Sequence, residues 1–434
     1  MYDKLMFGFQ ESLVADEYVT ATYYMEIGAD ADAIKFAQAI AAEQSSGTWV
    51  DVPYNTEDVR GKHTAVVTGL YETPAYDREL PSDIAYRRFI FKLAFPIRNL
   101  GDSIPMLHTA TIGNISGAKM KLVDLEFPKS YVDRFKGPKF GIGGVRDILG
   151  VPERPLVLNM IKPDVGWSPK EGAEMAYEAF SGGVDIIKDD ELVPADPEFC
   201  PLKDRVAAIM GAALKAEEET GEKKLYTPNI TDSVSRIRDN AYRAIEAGAN
   251  ALMLNVYTAG YSAMQMLAED PNINIPILAH PDYAAATFSA PDTGVASYLM
   301  MGKLVRLSGA DIMIYSTHFG KIPIMKDRYI QTAQALRHKF YDIKDTFPGP
   351  GGGMYQGIVK QTINDLGKDC IVAAGGAIHG HPMGAGGGAK AMRQAVDAAV
   401  TGVGLGEAAR SHAELKAALE LWGADDKDLF DMKA

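Results

Sequence analysis

Beyond the first third of the chain, apolar and polar positions follow one recurring pattern. A short apolar run ends in polar or glycine residues, and an alanine-rich amphipathic stretch such as Pro169–Gly183 follows it. Such runs are typical of buried strands, and apolar residues three and four apart are typical of helices. The predicted strands are Leu156–Pro163, Val184–Asp190, Leu225–Thr231, Ala251–Tyr257, Ile275–Pro281, Ala310–Thr317, a weak one at Phe347–Gly353, and Cys370–Ala377.

Eight strand–helix alternations over roughly 280 residues predict a (β/α)₈ TIM barrel. An open doubly wound sheet is the alternative. That fold would need a glycine-rich phosphate turn after its first strand, and Ile161–Trp167 (IKPDVGW) contains no G-x-G-x-x-G motif. The barrel is therefore the preferred fold class.

The first 135 residues follow a different pattern. One helix is predicted at Ala29–Ser45, and strands are predicted at His63–Glu72, Arg87–Pro96 and Lys119–Pro128. We interpret residues 1–135 as a separate N-terminal α+β domain of ferredoxin-like type. Residues 136–434 then form the barrel, followed by a C-terminal helix and an acidic tail.

Composition narrows the range of functions. The chain is 47% hydrophobic and 23% charged, as expected of a globular protein with a large core. Its net charge of −13 argues against nucleic-acid binding, which needs a basic surface. Cys200 and Cys370 show no metal or redox spacing, and neither a leader nor an apolar run of membrane-spanning length is present. We therefore expect a cytoplasmic protein that binds neither membranes nor nucleic acids.

The strongest chemical signal is KDDE, directly after the second predicted barrel strand. Active sites in barrels lie at the carboxyl ends of the strands. Lys188 and Asp190 should point to one side of the strand, with Glu191 turning in beside them. Two carboxylates suit Mg²⁺. The lysine would be either a counter-ion or, after taking up CO₂ as a carbamate, a third oxygen ligand; a solvated charged loop is the simpler alternative.

Glycines form the second signal, at Gly351–Gly353 and at Gly375 and Gly376. They follow the seventh and eighth predicted strands, where many barrels bind phosphate through backbone N–H groups. Flexible loops are the alternative reading. A third glycine run, Gly386–Gly388, could either belong to such a site or begin a helix.

Single polar residues at other strand ends are weaker signals. Lys162 and Lys321 could exchange protons or neutralise substrate charge, and His280 could bind a carbonyl or satisfy a core hydrogen bond. His379 and His381 have metal-like spacing, but a turn at a helix entry explains them equally well, so no metal is assigned to them.

Longer motifs resemble a known family. GGVDIIKDDELV, NMIKPDVGW, AAEQSSGTW, TIGNISG, GADIMIYSTHFGKI and GGAIHGHPMGAGGGA are similar to the large subunit of ribulose-1,5-bisphosphate carboxylase/oxygenase (RuBisCO). They are more similar still to its form IV relatives, the RuBisCO-like proteins. The resemblance covers the chain from about Tyr18 to Trp422.

The resemblance implies roles for individual residues. Lys188 would carry the CO₂-derived carbamate and, with Asp190 and Glu191, would bind one Mg²⁺ per active site. The catalytic group would include a proton-shuttling lysine, a substrate-binding histidine and a mobile-loop lysine: Lys162, His280 and Lys321. An antiparallel homodimer is implied, in which the partner's N-terminal domain contributes Glu43, Thr48, Trp49 and Asn114. One phosphate would lie against Gly352, Gly353, Gly375 and Gly376.

Departures from the RuBisCO pattern are also informative. Asp164 stands where a second lysine is expected, Pro281 where an arginine holds the second phosphate, and Gly351 where a serine is expected. Ile314–Ser316 lacks the histidine that serves the same phosphate. Each lost charged hydrogen bond is worth about 1.5–3 kcal/mol. A monophosphate substrate is therefore expected, and carboxylation of ribulose bisphosphate should be absent or very weak.

Among RuBisCO-like proteins, the methionine-salvage enolase group, which acts on 2,3-diketo-5-methylthiopentyl-1-phosphate, is similar in HPDYAAA and YTAGYSAMQML. That group has a lysine where this chain has Asn114, and it lacks the IKP found here. The leading hypothesis is Mg²⁺-assisted enolisation, giving a tautomerase or isomerase. The second is decarboxylation or C–C hydrolysis of a phosphorylated 3-oxo sugar acid. The third is a catalytically silent regulatory protein.

Overall fold

A computed structural model describes residues 6, 8, 13–47, 50 and 52–424. Two of the predicted site residues, Thr48 and Trp49, lie outside these ranges. The strands in the described part are β1 (Tyr18–Gly28), β2 (Val66–Glu72), β3 (Tyr86–Pro96), β4 (Met120–Glu126), β5 (Leu156–Met160), β6 (Ile186–Lys188), β7 (Leu225–Thr227), β8 (Leu252–Asn255), β9 (Ile277–His280), β10 (Gly294–Val295), β11 (Ile312–Ser316), β12 (Phe347–Gly351) and β13 (Ile371–Ala374).

The helices in the same ranges vary from one turn to five turns. They are α1 (Ala33–Glu43), α2 (Glu57–His63), α3 (Ile104–Ile112), α4 (Lys129–Val132), α5 (Gly141–Leu149), α6 (Pro169–Ser181), α7 (Leu202–Thr220), α8 (Val234–Glu246), α9 (Val256–Ala259), α10 (Tyr261–Glu269), α11 (Ala285–Phe288), α12 (Val305–Leu307), α13 (Lys326–Arg337), α14 (Val359–Leu366), α15 (Gly376–His379), α16 (Gly384–Thr401), α17 (Leu405–Ala408) and α18 (Ala413–Trp422).

Eight parallel strands form the barrel. One sheet has the order β13-β5-β6-β7 and the other β12-β11-β9-β8. A parallel bridge between Asn229 and Met253 connects the end of β7 to β8, and β12 lies beside β13. The predicted TIM barrel is confirmed, and each predicted run contains one of its strands.

The hydrogen-bond ladder is open between β12 and β13, and the sequence explains why. Phe347 N–H donates to the Asp311 carbonyl at 2.8 Å, so alternate residues of β12 face β11. The intervening residues, Pro348 and Pro350, therefore face β13 and have no N–H to donate. This composition also explains why the seventh strand gave only a weak signal.

Apolar side chains from all eight strands fill the barrel, and α5 packs against the same core at the amino ends of the strands. The core comprises Ile142, Val145, Leu149, Leu156, Leu158, Ile186, Leu225, Ala251, Met253, Leu278, Ile312, Ile314, Phe347, Ile371 and Ala373. Buried Asp311 anchors the start of α5 by accepting from the N–H groups of Phe140 at 2.7 Å and Gly141 at 2.9 Å. The amino end of the barrel is therefore built for stability, which leaves the carboxyl end for chemistry.

The N-terminal unit is an α+β sandwich around a five-stranded sheet of order β10-β4-β1-β3-β2. Close packing divides the chain into residues 1–136 with 283–300, and residues 137–282 with 301–434. Residues 283–300 thus join the first unit, although the sequence placed them in the barrel. They do so because β10 pairs in parallel with β4, and Lys121 Nζ donates to the Phe288 carbonyl at 2.9 Å.

No helix in the described ranges is long and apolar enough to cross a membrane. Cys200 and Cys370 are both buried free thiols.

A charged cluster at the amino end of the barrel gives a pH-dependent prediction. Glu222 contacts Arg393 Nη2 at 3.0 Å and the buried Lys224 Nζ at 3.1 Å. Burial raises the pKa of Glu222, but the hydrogen bond from Arg393 and the charge of Lys224 outweigh it, and the pKa falls to about 2. Because this is below the ordinary 4.5, the stabilisation is present above pH 4.5 and is lost as the pH falls towards 2.

Glu222→Gln should therefore lower the free energy of unfolding by about 1–2 kcal/mol at pH 7, since solvent screens this partly exposed carboxylate. Urea unfolding at pH 7 and pH 3 measures the effect, which should shrink at the lower pH. Glu246→Gln, which removes an exposed partner of Lys203, is the control and should change little. An equal loss at both pH values would contradict the prediction.

Candidate active site

The three predicted metal residues come together at the carboxyl end of β6. The strand ends at Lys188, so Asp190 and Glu191 lie at the mouth of the barrel. The Lys188 side chain is fully buried, and its Nζ donates to Glu191 Oε2 at 3.1 Å and to the Asp189 carbonyl at 2.8 Å. Asp190 is also buried, whereas 33% of the Glu191 side chain is exposed. A fully solvated charged loop is therefore excluded.

Asp189 points away from this group and holds it from behind. Its carboxylate accepts from Tyr226 Oη at 2.6 Å and from the Asn229 N–H at 2.9 Å, and Arg205 Nε lies 3.1 Å away. Arg205 is itself fully buried in α7 and donates to the Cys200 carbonyl at 2.6 Å. Adjacent acids in KDDE thus face opposite sides, and Asp189 has a structural role. Sequence reasoning did not identify Arg205.

Two asparagines fix the backbone of Glu191. Asn229 Nδ2 donates to the Glu191 carbonyl at 3.2 Å and to the Val193 carbonyl at 2.9 Å. Asn255 Nδ2, from the end of β8, donates to the same Glu191 carbonyl at 3.0 Å. Neither residue was assigned a role from the sequence. Together they hold Glu191 in one position without contacting its carboxylate.

Lys162 lies at the edge of the same group. Its Nζ donates to Asp190 Oδ2 at 2.5 Å and also to Asp164. Burial lowers the pKa of Lys162, but the hydrogen bonds to Asp164 and Asp190 outweigh it, so the pKa lies above its ordinary value. Gly375 leaves room for this side chain, since a Cβ there would lie 2.9 Å from Lys162 Cε.

His280 ends β9 on the other side of the group. Its Nε2 is 3.2 Å from Glu191 Oε2, and only 11% of its side chain is exposed. Burial and the charge of Lys188 lower the pKa of His280. Burial raises the pKa of Glu191, but the charges of Lys188 and His280 outweigh it and lower the pKa to about 2. Glu191 is therefore an anionic oxygen donor at neutral pH.

The donor set fits a magnesium ion on one condition. In the parts of the chain that the structure describes, no three His, Cys, Asp or Glu side chains are arranged to hold a metal. Asp190 and Glu191 could supply two oxygen ligands, the kind that Mg²⁺ prefers. A carbamate on Lys188, whose Nζ is already 3.1 Å from Glu191, would supply a third. Without it, Lys188 is a counter-ion.

The loop after β11 packs closely against the glycines at the end of β12. Lys321 N–H donates to the Gly352 carbonyl at 3.2 Å, and a Cβ on Gly353 would lie 2.7 Å from the Gly320 Cα. Gly352 and Gly353 have φ of 80° and 117°, which disfavour other residues. The Lys321 side chain is exposed. These contacts place the predicted loop lysine beside one half of the predicted phosphate cradle.

In the N-terminal unit, two predicted residues 71 positions apart meet. Asn114 Nδ2 donates to Glu43 Oε1 at 3.2 Å, and both side chains are exposed. Their partner-completing role is an expectation from the resemblance.

His379 and His381 each contact a structural partner. His379 Nε2 is 3.0 Å from Asn159 Oδ1, and His381 Nε2 is 3.0 Å from the Glu414 carbonyl. Burial and the charge of Lys162 lower the pKa of His379 to about 4. The two rings therefore serve different contacts and do not form a metal pair. His318 faces Asp365, with Nε2 3.9 Å from Oδ2.

Family models match both parts of the chain. Residues 10–131 match the N-terminal domain of the ribulose bisphosphate carboxylase large chain, and residues 141–422 match its catalytic domain.

Individual relatives agree with these matches. A ribulose bisphosphate carboxylase-like protein of Archaeoglobus fulgidus is 50% identical, covering 90% of each chain. The 2,3-diketo-5-methylthiopentyl-1-phosphate enolase of Geobacillus thermodenitrificans is 37% identical, covering 94% of this chain and 98% of the enolase. The crystal structure of octameric RuBisCO from Pyrococcus horikoshii superposes with a TM-score of 0.87 at 33% identity, covering 96% of each chain. The chain therefore belongs to the ribulose bisphosphate carboxylase large-chain family, as a RuBisCO-like protein and form IV relative near the methionine-salvage group.

Proposed function

We propose that this protein is a Mg²⁺-dependent tautomerase or isomerase that enolises a ketose or diketose carrying one phosphate. The observation that carries the proposal is the convergence of Lys188, Asp190 and Glu191 at one strand end, with Lys162 in contact with Asp190. The enolase relative supports the reaction type. Authentic carboxylation of ribulose 1,5-bisphosphate is not expected.

Each residue has a task that its position supports. Asp190, Glu191 and carbamylated Lys188 would hold the metal, which when bound would stabilise negative charge on the substrate's carbonyl oxygen. Lys162 would carry the proton that leaves or returns to carbon, because its Nζ lies at the edge of this group. His280 would orient the substrate from the opposite side, and Lys321 would cover it from the exposed loop.

The glycines favour one phosphate. Backbone N–H groups at Gly352, Gly353, Gly375 and Gly376 can approach an anion closely because no Cβ intervenes. No comparable cradle is supplied by Pro281 or by Ile314–Ser316, where the RuBisCO pattern has cations. We further propose a homodimer in which the partner's Glu43, Thr48, Trp49 and Asn114 complete the site.

Solvent-hydrogen exchange tests the proposal. Purified protein with Mg²⁺ and bicarbonate, incubated in deuterated buffer, should incorporate deuterium beside the carbonyl of a ketose monophosphate, as measured by NMR. Fixation of labelled bicarbonate onto ribulose 1,5-bisphosphate is measured in parallel and should be absent or very weak. Release of CO₂ or a carboxylic acid without exchange would favour the C–C cleaving alternative. Absence of both exchange and Mg²⁺ binding would favour a catalytically silent protein.

A further inference from the structure

A second carboxylate, that of Asp282, lies on the opposite side of the His280 imidazole from Glu191. Asp282 Oδ2 accepts from Thr258 Oγ1 at 2.8 Å, which fixes the carboxylate. The other oxygen, Oδ1, lies 3.9 Å from His280 Nδ1, beyond hydrogen-bonding distance. Because His280 Nε2 already faces Glu191 at 3.2 Å, the imidazole stands between two carboxylates.

Three buried polar atoms at the ends of β8 and β9 are unsatisfied. Within the described part of the chain, Asp282 Oδ1, His280 Nδ1 and Asn255 Oδ1 have no hydrogen-bond partner. His280 and Asn255 are only 9% and 8% exposed. Each buried polar atom left unpaired costs about 1–3 kcal/mol. Such a concentration in one place indicates a site whose hydrogen bonds are completed by a ligand.

The strand register brings these atoms to one side. Asn255 and His280 are paired residues on the parallel strands β8 and β9, so their side chains project in the same direction. Both reach Glu191, since Asn255 Nδ2 donates to its carbonyl at 3.0 Å. The unsatisfied atoms therefore border the same part of the barrel mouth as the predicted metal residues.

The chemistry of this group selects a hydrogen-bond donor. A carboxylate oxygen and an amide oxygen accept hydrogen bonds and cannot donate them, and the carboxylate repels anions. A substrate hydroxyl can donate its one proton to either oxygen, a second phosphate is repelled, and a thioether has no proton to donate. Lys188 is the cation whose charge lowers the pKa of His280, and its Nζ already donates a hydrogen bond to Glu191.

We propose that Asp282 is a specificity-determining residue, selecting substrates whose end remote from the phosphate carries a free hydroxyl. Asp282 acts with His280 and Asn255, and Thr258 positions it. The inference rests on the proposed function and deepens it, because it specifies the part of the substrate that the metal residues do not contact. It also separates this chain from an enzyme whose substrate ends in a methylthio group.

Three ketose phosphates that differ only at carbon 5 provide the test. Ribulose 1-phosphate has a hydroxyl there, ribulose 1,5-bisphosphate a phosphate, and 5-methylthioribulose 1-phosphate a thioether. Calorimetry with Mg²⁺ and bicarbonate measures each Kd, and deuterium exchange measures enolisation. We expect the hydroxyl compound to bind at least about 10-fold more tightly than either of the others, since sites built around a hydroxyl reject analogues lacking it.

Variants separate charge from orientation. Asp282→Asn should improve bisphosphate binding by about 10-fold by removing the repulsion. Thr258→Val leaves the charge but frees the carboxylate, so it should weaken the hydroxyl preference without improving bisphosphate binding. Asp239→Asn, on the exposed surface of α8, is the matched control and should leave all three Kd values unchanged.

The outcomes distinguish this inference from the proposed function. Equal binding of the three ketoses, or an unchanged preference in a folded Asp282→Asn variant, would overturn the role of Asp282 while leaving enolisation intact. Preference for the thioether would overturn it as well. If none of the three binds or exchanges deuterium, the proposed function itself is contradicted.

Discussion

Lys188→Ala should abolish Mg²⁺ binding and slow deuterium exchange by at least about 1000-fold, which corresponds to a rise of about 4 kcal/mol in the activation free energy. The reason is geometric: the Lys188 Nζ is the only non-carboxylate member of the predicted ligand group, and it lies 3.1 Å from Glu191 in a fully buried position. Its removal leaves two carboxylates to hold the ion. Calorimetry on the folded variant measures the lost binding directly.

Lys188→Arg separates the two tasks that the sequence left open for this lysine. An arginine keeps a positive charge near Glu191 but cannot take up CO₂ as a carbamate. If Lys188 is only a counter-ion, Lys188→Arg should retain Mg²⁺ binding far better than Lys188→Ala. If the carbamate is the third ligand, Lys188→Arg and Lys188→Ala should lose Mg²⁺ binding equally.

Dependence on CO₂ supplies an independent readout. Wild-type protein freed of CO₂ should lose tight Mg²⁺ binding and regain it when bicarbonate is added, with a carbamate carbon visible by NMR after labelling. Both variants should lack that signal. Tight Mg²⁺ binding by Lys188→Arg, or by CO₂-free wild type, would remove the carbamate from the proposal.

Local periodicity explains what the sequence could predict. A barrel strand buried on both faces is a continuous apolar run, as in IVAA of β13, so its position can be found without knowledge of its neighbours. The KDDE group could be found because it directly follows such a strand, at the end where barrels place their active sites. The predicted runs overshoot the strands because their last residues already belong to the site loops: β6 ends at Lys188, two residues before the run does.

Partners distant in sequence account for what was missed. The two residues of β10 carry no signal of their own, and only their pairing with β4 reveals that residues 283–300 join the first unit. Arg205 is a similar case, because a charged residue in a helix is normally exposed. β1 was also missed, but for a different reason. Its buried residues alternate along Tyr18–Gly28, so its signal was available in the sequence.

Arg205→Met should lower the free energy of unfolding by about 3–5 kcal/mol, the usual cost of leaving a buried charge without its partner. Arg205 and Asp189 side chains are both fully buried, with Nε 3.1 Å from Oδ2. Removal of the guanidinium also leaves the Cys200 and Ala195 carbonyls without the donors that now satisfy them. Urea unfolding followed by circular dichroism measures the loss.

Arg236→Met is the matched control for that loss. Arg236 forms an ion pair with Asp232 at 2.5 Å, but 66% of its side chain is exposed, so the expected loss is below about 1 kcal/mol. In the double variant Arg205→Met with Asp189→Asn, part of the stability should return because the unpaired charge is gone. Equal losses for Arg205→Met and Arg236→Met would contradict the assignment of Asp189 as a buried anchor.

Arg205→Met should also affect Mg²⁺ binding at the candidate active site. Asp189 lies between Lys188 and Asp190 in the chain, and its carboxylate holds the backbone at that point through the Asn229 N–H at 2.9 Å. Loosening this anchor should therefore weaken Mg²⁺ binding in Arg205→Met even at temperatures where the variant is fully folded, although no ligand has been changed. Undiminished Mg²⁺ binding would mean that the strand end is held by Asn229 and Asn255 at the Glu191 carbonyl, with no contribution from the buried ion pair behind it.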